Sequence, residues 1–218
     1  MVFDGGDFTG ARFSDGIALF TDAVFSGGTV SFDRAEFSGG TVDFTWAKFS
    51  GGDVLFESAE FSGGQVRFLG ARFSDGEVPF STAEFSGGTV HFGGAEFSGG
   101  TVGFVGARFF GGKVDFSGAK FSGSTVRFDY AQFSDGEVSF RSAEFSDGTV
   151  GFDSAGFSDG TVRFDNAKFS GGMVDFSQVA VWTDRPYFDG DSTPPSGVRL
   201  PVQPDTRLSP GAETEEMA

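Results

Sequence analysis

The sequence predicts an all-β fold: a parallel β-solenoid in which short strands wind into stacked coils. Two ladders of phenylalanine predict it. One runs 13, 25, 37 and on to 169, the other 8, 20, 32 and on to 188, and together they hold 30 of the 32 Phe of the 218-residue chain. Ala recurs at 11, 23, 35 through 167, and Val at 30, 42, 54 through 174, without exception. A period of twelve held this strictly is the mark of a repeat architecture.

The unit reads V-x-F-x-x-A-x-F-S-G-G-x. V-x-F and A-x-F are apolar–variable–apolar triplets, and a period of two places both apolar residues on one face of a strand. Val42, Phe44, Ala47 and Phe49 therefore point inward, as do Phe37 and Phe92, while Asp43 and Lys48 point outward. Between triplets lie either two residues, such as Thr45-Trp46, or four, such as Ser50-Gly51-Gly52-Asp53. Gly reaches positive φ without a Cβ clash and suits such corners. Asp replaces the first Gly at 15, 75, 135, 147 and 159, which reads as the same turn because Asp tolerates the left-handed region. A helix is excluded. Apolar spacings of two, three, two and five trace no 3.6-residue stripe, and paired glycines every twelve residues would interrupt it.

Composition narrows the function. With no Cys there is neither a disulfide nor a thiolate metal site. A net charge of −16 opposes direct binding to a phosphate backbone. No charged-then-apolar leader opens the sequence and no run is long enough to span a bilayer, so a cytoplasmic setting without membrane contact is expected.

Consecutive V-x-F-x-x and A-x-F-S-G segments resemble pentapeptide repeats, whose pattern is a small residue, any residue, Leu or Phe, then two corner residues. Ala47 and Val42 match the small slot, and Phe49 and Phe44 the central one. The resemblance spans about residues 6–188 and implies a right-handed, four-sided β-helix. This chain departs from the family in the slot after Ala, where Arg12, Glu36, Lys48 and Glu60 replace the usual Asp or Asn. It also carries two extra residues after every second pentapeptide. Two units then make one coil of 24 residues, giving roughly seven coils. The alternative is a flattened coil of 12, which the alternating signs of Glu36, Lys48, Glu60, Arg72 and Glu84 favour. The expected division is a repeat domain over 1–188, capped near 179–188 by Trp182 and Tyr187, followed by a disordered tail rich in Pro and acids over 189–218.

The repeat offers little chemistry. His91 is the only His and occupies an outward slot, which reads as a solvated surface residue. Asp135, Asp147 and Asp159 could gather a hard cation, but the Gly-rich calcium-roll pattern is absent. Thr at 29, 41, 89, 101, 125, 149 and 161 is too interrupted for a regular array. No catalytic residue, metal or cofactor is expected. Phe110 stands where the unit has Ser, and Trp46 and Tyr130 stand in corners; these three are the candidate interaction residues, since contact anchors are often aromatic. The expected function is a non-catalytic interaction or scaffold protein presenting a rigid rod to a protein partner. A homodimer through an uncapped coil end is a further expectation. The resemblance supplies an alternative: an acidic rod that imitates DNA and modulates a type II topoisomerase. Residues 1–182 hold 24 acids and 12 bases, a partial fit to such a mimic.

Overall fold

The computed structural model describes residues 1–189 and 195–201. Within them the chain is all β, wound into about eight turns of 24 residues. Every strand is parallel to its neighbour one coil away. Glu60 pairs with Glu36 and Glu84, and Val66 with Val42 and Val90. The 12-residue coil is thereby excluded. Glu36, Glu60 and Glu84 do stack in one column, bounded by Arg12, 3.1 Å from Glu36, and by Arg108, 2.8 Å from Glu84. Exposed charge pairs are worth about 0–1 kcal/mol each. They are too weak to set a register that buried rings decide.

Each coil has four sides. The first carries Ala35-Glu36-Phe37, the second Val42-Asp43-Phe44, the third Ala47-Lys48-Phe49 and the fourth Val54-Leu55-Phe56, with equivalents in the other coils. Each Phe lands on the Phe 24 residues away. Stacked ring centroids are between 4.4 and 5.0 Å apart, close to the strand spacing. The two Val-x-Phe columns meet across the axis edge to face, as in Phe68–Phe80 at 6.2 Å and 87° and Phe80–Phe92 at 5.9 Å and 86°. Both arrangements suit the aromatic quadrupole. Val42, Phe37, Phe44, Ala47, Phe49 and Phe92 are all buried. Phe3, outside both ladders in sequence, joins the third column by stacking on Phe25 at 5.0 Å, because the corner after it is shorter.

The two kinds of corner are solved differently. In the two-residue corner the carbonyl of Phe44 accepts from the amide of Ala47 at 3.0 Å, and the second corner residue, Trp46, has φ of 60°. A type II turn requires this positive φ. All 14 such positions from Gly10 to Asn166 share it, with φ between 56° and 67°. In most four-residue corners positive φ falls on the second Gly, such as Gly40 and Gly64. The Asp residues in the first slot are therefore not left-handed, contrary to the sequence reading. Instead the carboxylates of Asp75, Asp135 and Asp147 each accept from the amide of the following Gly at 2.8–2.9 Å. In mid-rod this corner is a bulged continuation of the strand: Arg108–Asp115, Lys120–Arg127, Gln132–Ser139 and Glu144–Gly151 run through it.

The ends differ. At the start, Phe3, Phe8, Phe13 and Phe20 are only partly buried, and the outward slots hold Val2, Ile17 and Leu19, all exposed. At the far end, Val181–Trp182 forms one more first-side strand, with Trp182 paired to Phe157 and its ring 5.3 Å from those of Phe157 and Phe176. Phe188 stacks on Phe164 at 5.0 Å. Tyr187 is not a lid: it faces outward, 62% exposed, beside the Arg163 guanidinium. The segment expected to be disordered contains one more strand, Val198–Arg199, pairing with Val174 and Asp175. Positions 190–194 and 202–218 of that expected tail lie outside the described residues.

Two substitutions test this packing. Phe92→Ala should lower unfolding free energy by about 3–5 kcal/mol in urea melts, because rings on every side prevent the cavity from collapsing. Gly64→Ala should be far more damaging than Gly94→Ala. Both have φ near 65°, but a Cβ at Gly64 would lie 2.6 Å from the Gly39 carbonyl carbon, whereas nothing lies within 4 Å at Gly94.

Candidate interaction surfaces

Since the interior is filled by rings, chemistry is left to the outward slots and corners. Their charge is distributed unevenly. Over residues 1–182 the outward strand slots hold nine acids and nine bases, while the corners hold 15 acids and three bases. Summed over all four, the sides are neutral, and the edges carry the net negative charge. The corner between the third and fourth sides has Asp4, Asp53, Asp75, Glu77 and Asp147 and no base among its described residues.

The structure separates the three candidate aromatics and then joins two of them. Trp46 lies at the corner between the second and third sides. Phe110 and Tyr130 flank the first side on successive coils, one at each edge, with Arg108 and Gln132 as paired neighbours between them. The Arg108 guanidinium is 5.1 Å from the centroid of the half-buried Phe110 ring, and the Gln132 side chain donates to the Tyr130 carbonyl at 3.2 Å. Gln132 reaches over Gly156, where a Cβ would be 2.6 Å from its Oε1. This is a broad platform: an aromatic at each edge, polar donors between, and a glycine beyond. Tyr130 and Trp46 have φ of 59° and 60° and remain 61% and 60% exposed. The left-handed region costs a residue with a Cβ roughly 1–2 kcal/mol, and here little burial compensates. The sequence carried the signal for this strain: the same slot holds Gly at 10, 70, 94, 106 and 118.

His91 is half-buried rather than freely solvated. Its Nδ1 lies 3.9 Å from an Asp115 carboxylate oxygen. Burial pushes its pKa below the ordinary 6.5; Asp115 opposes that shift, and Arg67 and Lys113 reinforce it. On the second side, Arg67 is 3.9 Å from Asp43. Among the described residues no group of three or more His, Asp or Glu is placed to hold a metal ion. Asp135 and Asp159 share one corner column, but Asp147 lies at the opposite corner, so the three do not converge. The Thr ladder is likewise split between two corners.

Four strands per 24-residue coil, with Phe on each side, define the class of protein: a four-sided parallel β-solenoid, a geometry consistent with the pentapeptide-repeat pattern. No family model matches the chain, and no curated protein matches it. Among solved structures it is similar to a trypsin-treated, singly substituted form of QnrB1, a plasmid-mediated fluoroquinolone resistance protein, at 21% identity over 85% of this chain and 88% of that one, with a TM-score of 0.30. HetL, a pentapeptide repeat protein involved in heterocyst differentiation regulation from Nostoc sp. strain PCC 7120, matches at 10% identity over 78% and 85%, with a TM-score of 0.23. Full-length QnrB1 matches at 15% identity over 87% and 93%, with a TM-score of 0.24. The class rests on this chain's own coil geometry, and nothing about activity is taken from these likenesses.

Replacing Trp46 by Gly should leave the fold intact and raise the thermal midpoint by a few degrees, since it removes a strained residue that packs little; a fall would mean the indole is structural. For His91 the folded pKa lies below the unfolded one, so the unfolded chain binds more protons as pH drops through about 6.5. That contribution to stability is present above pH 6.5 and is lost toward the folded pKa. Urea midpoints at pH 7.5 and pH 5.0 should therefore differ more for the natural protein than for His91→Gln.

Proposed function

We propose that the chain is a non-catalytic interaction protein: a rigid rod that offers its outer surface to a protein partner in the cytoplasm. One observation carries this reading. Phe110 and Tyr130, two departures from the repeat's usual small or polar corner residues, sit at the two edges of one side, with Arg108 and Gln132 between them. Aromatic and Arg side chains are the residue types enriched at contact hot spots. The repeat keeps its strands rigid, so such a surface loses little conformational freedom on binding.

The DNA-mimic reading, as a modulator of a type II topoisomerase, is less well supported. A duplex presents anions in continuous rows, whereas every side here mixes signs and only the corners are acidic. On the third side Lys48, Arg72, Lys120 and Lys168 outnumber Glu96 and Glu144. Pairing of two copies through the N-terminal coil is a separate proposal. Four of the ten exposed large apolar residues described, Met1, Val2, Ile17 and Leu19, cluster there beside unpaired strand edges.

A pull-down with the full chain and with Phe110→Ser/Tyr130→Ser as baits tests the first reading. A protein held by the natural chain and lost by the double variant is the expected result; equal recovery would remove the platform. Gyrase supercoiling should be unchanged at micromolar concentrations of the protein. Sedimentation should show a dimer that Ile17→Asp/Leu19→Asp converts to a monomer.

A further inference from the structure

A second surface lies across the rod from the platform, at the corner between the second and third sides. The Trp46 indole lies along the rod over the next coil: a Cβ on Gly70 would meet its ring carbons at 2.4–2.9 Å, so only glycine admits the ring there. Leu69, also partly exposed, leans over Gly93, its Cδ2 3.2 Å from where a Cβ would be. One coil further the slot at Gly94 is open, with nothing within 4 Å of a built Cβ. Trp46 and Leu69 thus form an apolar ledge that ends at the open Gly94 corner.

The charge beside this ledge is unlike that of the rest of the molecule. Lys48 and Arg72 are register partners on the adjoining third side, and they are the one place among the described residues where two Lys or Arg stack in successive coils of the same column. Arg72 is 3.0 Å from Glu96, leaving Lys48 with no ion-pair partner among the described residues. On the second side Asp43 is matched by Arg67, and Asp115 lies beside His91. The nearest competing acid in the corner column is Asp22, one coil before Trp46. The net charge of −16 disfavours an acidic partner at long range. At physiological salt, however, the screening length is about 8 Å. The local charges then decide, and here they are positive beside an apolar ledge.

We propose that this corner docks an acidic segment of a partner protein. An apolar side chain of the segment would lie against Trp46 and Leu69, with its neighbouring carboxylates on Lys48 and Arg72. The segment lies along the rod, because Trp46 over Gly70 and Leu69 over Gly93 extend the apolar ledge in that direction. This rests on the interaction reading above and names the chemistry of one partner.

The test is selection of a random 12-residue phage-displayed peptide library on the full chain. Parallel selections use Trp46→Gly, which relieves strain at that slot, and Lys48→Glu/Arg72→Glu, whose side chains point to solvent; thermal melts verify that both remain folded. The expected result is enrichment of peptides combining Asp or Glu with an apolar residue. Their synthetic versions should bind the full chain at least tenfold more tightly than either variant, and more weakly as salt rises. Enrichment of basic or uncharged peptides, affinities unchanged by both substitutions, equal binding of a single-stranded oligothymidine, or no enrichment at all would each overturn the proposal. If the same pull-down, extended with Trp46→Gly as a third bait, recovers a partner equally, this corner is excluded while the interaction reading stands. If no bait recovers a partner, the interaction reading itself fails.

Discussion

The structure depends on one constraint: every inward side chain must lie directly over its counterpart one coil away, at the spacing that backbone hydrogen bonds impose. Phe meets this constraint well. A flat ring stacked at 4.4–5.0 Å is almost parallel to its neighbours and meets the opposite column edge to face. The sides between cannot hold another large residue, which is why Ala at 11–167 and Val at 30–174 fill the remaining inward slots without exception. A coil alone exposes its rings, as Phe3, Phe8, Phe13 and Phe20 show at the open end; each added coil covers the one before it.

The same constraint restricts the corners. Stacked corners bring backbone against backbone: Gly40 and Gly64 leave no room for a Cβ above the coil beneath them. The two-residue corners project away from the rod and demand chiefly positive φ, so they admit Asp, Ser, Thr, Arg, Trp and Tyr at a cost in strain, Gly70 under the Trp46 ring being an exception. Variation is thereby channelled to the outward strand slots and the two-residue corners. These are also places where a partner can reach the molecule; both surfaces described above draw on them, with Phe110 added from a four-residue corner.

Electrostatics follows the same division. Outward slots stack in register with those of the next coil, so acids and bases can neutralise each other along a side, as Arg72 does with Glu96 and Lys168 with Glu144. Several corner acids instead serve their own turn: the carboxylates of Asp75, Asp135 and Asp147 hold the next amide. Much of the acidity is thus tied to turn formation, and bulk charge alone is a poor guide to the partner of such a rod.

By itself the sequence determined the strand triplets, the inward residues and the solenoid class, because a period of two inside a period of twelve can bury those Phe in no other regular way. It could not determine the coil length, since 12 and 24 both preserve the period, and the outward charges that favoured 12 are too weak to compete with ring packing. Nor could it show that Tyr187 turns outward or that Val198–Arg199 adds a strand. Those depend on which coil each residue meets. Only the tertiary structure brought Phe110 and Tyr130 to opposite edges of one side and set Lys48 beside Arg72, because residues 20 and 24 positions apart become neighbours only once the coil has closed.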